Sequence, residues 1–94
     1  MKISPQAREE DTFVINSGEG RKIDVMQSEK ELRYYRDQED FINATDNFSD
    51  VKLQLKNDFD PGIIMISNKL NKELGDPDQV KMFRKGDNLF LKPE

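Results

Sequence analysis

The stretch that most restricts the fold runs from Val51 to Gly75, VKLQLKNDFDPGIIMISNKLNKELG. Val51, Leu53 and Leu55 alternate with polar residues, the pattern of a strand with one buried face. NDFDPG reads as a turn, because proline cannot continue a central strand. The run Ile63 to Ile66 is too short and too uniformly apolar for a surface helix, so it reads as a strand buried on both faces. Ser67 stands where it can cap a helix. Leu70 and Leu74 then fall one turn apart, and Gly75 supplies a C-terminal stop. DPD is a turn, and Val80 and Met82 share one side of a further strand. RKGDN turns the chain into a last strand, LFLK, before Pro93.

The front of the chain is more polar. Residues 1–11 hold one proline and read as a flexible arm. TFVIN alternates Phe13 and Ile15, SGEG reads as a turn, and RKIDVM alternates Ile23 and Val25. Together they predict a β-hairpin. Ser28 followed three residues later by Glu31 matches a capping box. Leu32, Tyr35, Phe41 and Ile42 fall near one helical face, so SEKELRYYRDQEDFINA predicts a helix of about four turns. TDNFSD ends it. A faint echo pairs Ile23 with Ile63 and Val25 with Met65. Strand, turn, strand and helix in that order are too common to indicate duplication.

Ninety-four residues make one domain, divided into the arm (1–11), an acidic hairpin-helix segment (12–50) and a β-rich unit (51–94). Only 34% of residues are hydrophobic while 36% are charged. A chain this size buries about two thirds of its unfolded surface, so completion of the core by a second copy is the expected remedy. Cysteine and histidine are both absent. Disulfides, thiolate metal sites and thiol nucleophiles are therefore excluded, and the usual proton-transfer group at neutral pH is missing. The expectation is a non-enzymatic protein without catalytic residues, cofactor or metal. Asp58, Asp60 and Gly62 echo the opening of a calcium loop, but its full spacing and closing glutamate are missing, and turn chemistry explains them. No stretch approaches the ~20 apolar residues of a membrane span, and MKISPQAREEDT lacks the apolar core of a secretory signal. A cytoplasmic protein is expected.

Charge is unevenly placed. Residues 1–50 hold 7 Lys/Arg against 12 Asp/Glu, a balance of −5. Residues 51–94 hold 8 against 7, a balance of +1, and the two give the net −4.

The order from Val51 to Pro93 resembles the AbrB/MazE family of swapped-hairpin proteins. Gly62 closes the turn, IIMI is the apolar run, Leu70 and Leu74 are the helix leucines, and Gly75 follows. Pro77, Asp78, Val80, Gly86, Asp87, Leu89, Leu91 and Pro93 fit the closing hairpin. The chain departs from that pattern at Ile63, Ser67 and Asn71. The resemblance implies an α+β fold: an N-terminal β-hairpin plus helix, then a swapped-hairpin β unit with one short helix, completed by dimerisation. It also implies DNA binding by a homodimer, with Lys52, Lys56, Lys69 and Lys72 on phosphates and Arg84 and Lys85 as outliers at the hairpin tip.

Two functions follow as expectations. One is a small homodimeric DNA-binding regulator or antitoxin-like protein. The other is a protein-interaction module in which the family-like unit is only a scaffold. There a basic partner would meet Tyr34, Asp37, Glu39 and Asp40 in the acidic half.

Overall fold

The computed structural model describes residues 1–6 and 11–94. The elements are β1 (Lys2–Gln6), β2 (Thr12–Asn16), α1 (Ser17–Lys22), β3 (Glu29–Tyr35), α2 (Gln38–Asn43), β4 (Ser49–Lys56), β5 (Ile63–Ser67), α3 (Asn68–Glu73), β6 (Val80–Lys85) and β7 (Asn88–Pro93). All seven strands join one mixed sheet in the order β1-β5-β2-β4-β3-β7-β6, which curls into a half-barrel. The two edges touch at one corner. There Met1 and Val80 exchange backbone hydrogen bonds, and the Ile3 N–H donates to the Asp78 carbonyl at 3.2 Å.

This architecture overturns the expected α+β fold. Strands hold 47% of the described residues and helices 20%, so the chain is mostly β. The elements expected after Val51 do form, but not as a separate swapped-hairpin unit. β4 lies between β2 and β3, β5 lies between β1 and β2, and the β6–β7 hairpin joins the sheet through β3. Front and back halves are therefore interleaved within a single chain. The expected arm contributes β1, whose residues 2–6 pair in parallel with Ile63–Ser67. Residues 7–10 of that arm lie outside the described residues.

Two local expectations fail for identifiable reasons. SGEGRK is a helix, not a hairpin turn, because Asn16 caps it: its Oδ1 accepts from the Gly18 N–H at 2.7 Å. The helix also needs Gly20, since a Cβ there would sit 2.6 Å from Leu55 Cδ1 on β4. The long helix from Ser28 is replaced by β3 and the short α2. Along β3 the side chains of Leu32 and Tyr34 turn inward at period two, and the strand pairs with β4 from Glu29↔Gln54 to Tyr34↔Ser49. Those cross-strand partners override a capping box that only local sequence supports.

Inside the curl lie Phe13, Ile15, Leu32, Tyr34, Val51, Leu53, Ile64, Ile66, Leu89 and Leu91, with Leu70 of α3 packed beneath. The rings of Phe13 and Tyr34 meet edge to face at 5.2 Å. A smaller aromatic layer forms on the outside. Phe41 of α2 stacks on Phe90 of β7 at 5.7 Å, and Tyr35 donates its hydroxyl to the Thr45 carbonyl at 2.7 Å.

An internal resemblance exists, but not where the sequence suggested it. β2–α1 and β5–α3 are each a strand ending in a helix cap, Asn16 or Ser67, and Val14 faces Met65 where β2 and β5 run antiparallel. Ile23 and Ile63, paired in the sequence echo, occupy different kinds of position: a helix end and the start of a strand.

Candidate functional site

The β6–β7 hairpin determines which groups face outward. Its turn is two residues, with Gly86 at φ +60, and Lys85 pairs with Asn88 across it. A two-residue turn makes Lys85–Asn88 a hydrogen-bonded pair, so Phe83–Phe90 and Lys81–Lys92 are hydrogen-bonded pairs too. The residues between them, Val80, Met82 and Arg84, aim their backbone groups at the open edge. Val80 uses both of its groups on Met1. Met82 has no backbone partner on that side among the described residues.

Beside this edge lies a slot of about 440 Å³ between α1 and β6. Ile15 and Val80 form its floor, and Met1, Ile23 and Met82 its apolar walls. Next along the inner face of β6, Arg84 bridges to the end of α1, where its Nη1 donates to the Ile23 and Asp24 carbonyls, each at 2.9 Å. Lys22 and Glu19 at the α1 side are paired with each other at 2.9 Å.

Lys81 also borders the slot, while its Nζ turns with Phe83 and Lys85 to the opposite face of β6. Lys81 Nζ sits 5.3 Å from the Phe83 ring, and Phe83 stacks on Phe90 at 6.5 Å. Phe83 is 37% exposed. The edge therefore has an apolar inner side and a basic outer side carrying an exposed ring.

The residues expected to bind DNA are divided between the two ends of the sheet. Lys52 projects from β4 between Thr12 and Glu31, whereas Lys56 sits beside Asn16 at the other end of the strand. Four residues of strand separate them by about 13 Å. β5 runs antiparallel to β2, so α3 with Lys69 and Lys72 lies at the end away from Lys56. All four are exposed, and α3 lies at the Thr12 end of β2, the end at which Lys52 also stands, so Lys56 alone is at the far end. Arg84 stands beside the hairpin tip, where its Nε donates to the Gly86 carbonyl at 2.7 Å, and it also forms the bridge described above.

Of the expected partner residues, Asp37, Glu39 and Asp40 stand together at the start of α2, while Tyr34 is apart from them in the core. Tyr34 is 1% exposed, inside the core, so it is not a surface contact. Burial pushes its pKa up to about 12, with Arg36 opposing the shift and Glu73 adding to it. Its hydroxyl has no hydrogen-bond partner among the described residues. Asp37 caps α2 through the Glu39 N–H at 2.9 Å. Asp40 accepts from Thr45 Oγ1 and Asn47 Nδ2, while Glu39 is exposed in the first turn. Of the departures from the family pattern, Ile63 opens β5, Ser67 caps α3, and Asn71 Nδ2 bonds Asp76 at 3.1 Å. In the Asp58–Gly62 turn, Asp60 Oδ1 accepts from the Gly62 N–H at 2.8 Å.

Among the described residues no cluster of three or more Asp, Glu, His or Cys could hold a metal ion. No described helix is long and apolar enough to cross a membrane. No protein-family model, curated protein or solved structure matches this chain, and nothing in those comparisons identifies the swapped-hairpin family.

The features of this edge that sequence reasoning missed are Met82, Lys81 and Phe83. The alternation K-M-F-R-K beside a two-residue glycine turn was visible. Its meaning depends on β6 ending the sheet, which only the long-range strand order decides.

Proposed function

We propose that this chain is a non-catalytic, cytoplasmic binding module that takes up an extended segment of a partner protein along β6. The carrying observation is Met82, whose outward N–H and C=O have no partner among the described residues and lie beside a slot with apolar walls. In strand addition, main-chain bonds supply affinity and pockets for alternate side chains supply selectivity. Sheet edges left without such cover invite pairing with another chain. The test is a peptide array of short extended segments, probed with the native chain and with Met82→Pro. Proline removes the outward N–H and spares the β7 ladder, which Met82 does not enter, so the fold is retained. Binding lost in that variant supports strand addition. Equal binding by the variant, or none by either, refutes it.

A second reading keeps the nucleic-acid expectation but moves it to the outer row. Lys81 over Phe83 favours it, because cations interleaved with an exposed ring suit single-stranded bases and phosphates. If Lys81, Lys85 and Lys92 each met a phosphate, log affinity would fall against log salt with a slope of about −2. A regulatory or antitoxin-like role would rest on that surface. Fluorescence anisotropy with a labelled oligothymidine decides it: no binding at ~50 mM salt removes the reading.

A further inference from the structure

Partner chemistry can be deduced from the two sides of β6, on the premise that the edge takes up a strand. Successive residues of an added strand point to opposite faces. The residue paired with Met82 faces the slot, as Val80's partner Met1 already does next to it. Its neighbours, opposite Lys81 and Phe83, face the outer row. Between Met1 and the Arg84 bridge there is room for about three residues, or ~10 Å of strand.

Self-pairing of two β6 edges is disfavoured in the register centred on Phe83. Antiparallel pairing of two β6 edges about Phe83 would set Lys81 of one copy opposite Lys85 of the other, at both ends. Like charges directly opposite each other destabilise a sheet, and lysine on an edge strand is a standard guard against self-pairing. The same lysines favour the opposite sign. No ion pair within 4.0 Å is formed by Lys81 or Lys85 among the described residues, and Lys81 contacts the Phe83 ring. Glu19 is paired with Lys22, which leaves Glu94 as the slot's other carboxylate, on the inner side.

We infer that the segment β6 takes up alternates apolar residues facing the slot with aspartate or glutamate facing Lys81 and Lys85. The selectivity is thus for an acidic, extended peptide, and the apolar positions set its register.

The probes are three acetylated, amidated peptides, each of three repeats: Val-Asp, Val-Ser and Val-Lys. Binding is followed by amide-resolved NMR titration of the intact chain. The Val-Asp peptide is expected to shift the Met82 amide and to bind about tenfold tighter than Val-Lys, with Val-Ser between them. In the double variant Lys81→Glu, Lys85→Glu the order should invert. If Met82 shifts but the three peptides bind alike, the acidic preference is overturned while strand addition stands. If no peptide shifts Met82, strand addition fails and the preference with it. A doubled solution mass that disappears in Met82→Pro would show that the occupant is a second copy, and would also overturn the inference.

Discussion

Met1 and Val80 exchange both of their backbone hydrogen bonds, each 2.9 Å long, and the closure of the half-barrel ends there. Two residues further along β6, Met82 presents the same two groups with no partner among the described residues. From Met1 onward the chain runs the other way, past Gln79 toward Asp78, so β1 covers β6 at Val80 and not at Met82.

Arg84 ties β6 to the segment after α1 by reaching the Ile23 and Asp24 carbonyls. Arg84→Ala should free those carbonyls and loosen the α1–β3 connection, at a cost of about 1 kcal/mol. Urea denaturation gives the cost, and NMR order parameters for Ile23–Ser28 should fall.

Gly20 lets α1 lie directly on β4, with Leu55 in the space a Cβ would fill. Gly20→Ala should destabilise by about 1 to 3 kcal/mol through overpacking. Leu55→Ala in the same chain should recover part of that loss, because the clash is with its side chain. A double-mutant cycle by thermal denaturation measures the coupling.

Tyr34 carries a buried hydroxyl with no partner among the described residues. Tyr34→Phe should raise stability at pH 7 by about 1 kcal/mol, since it removes an unpaired polar group and leaves the ring in place. The native residue also gives an alkaline signature. Its pKa is about 12 when folded, above the usual value of 10, so the folded state holds the proton more tightly. That contribution is intact below pH 10 and is lost as pH climbs through 12, about 2 to 3 kcal/mol in all. Urea midpoints between pH 9 and 12 should fall more steeply for the native chain than for Tyr34→Phe.

Ser67 Oγ accepts from the Leu70 N–H at 3.1 Å in a buried setting. Ser67→Ala should cost about 1 kcal/mol. Ser67→Asp should fold less well than Ser67→Asn, because the position is 4% exposed and an ionised carboxylate would be costly there.

The second half of the chain was legible because its signals are local. The Val51–Leu55 alternation, the Ser67 cap, Gly75 at φ +88 and the Gly86 turn all act within a few residues. The front half was not. SEKELRYY carries both a helical and a strand period, and only pairing with β4 and β7 decides between them. SGEGRK was obscured by its two glycines, although Asn16 and Glu19 stand at capping-box spacing. The candidate site was less legible still. The lysines stand out only by similarity to a family pattern, while the edge depends on Met1 and Val80 meeting, 79 residues apart in sequence.

Native-state hydrogen exchange of the free chain tests the open edge most directly. The Val80 and Phe83 amides are bonded, to Met1 and to β7, and should be protected together. The Met82 amide between them should exchange at least about a hundredfold faster, as an unbonded edge N–H does. Protection of Met82 equal to that of Val80 and Phe83 would mean that the edge is already occupied, and would contradict the binding role proposed for β6.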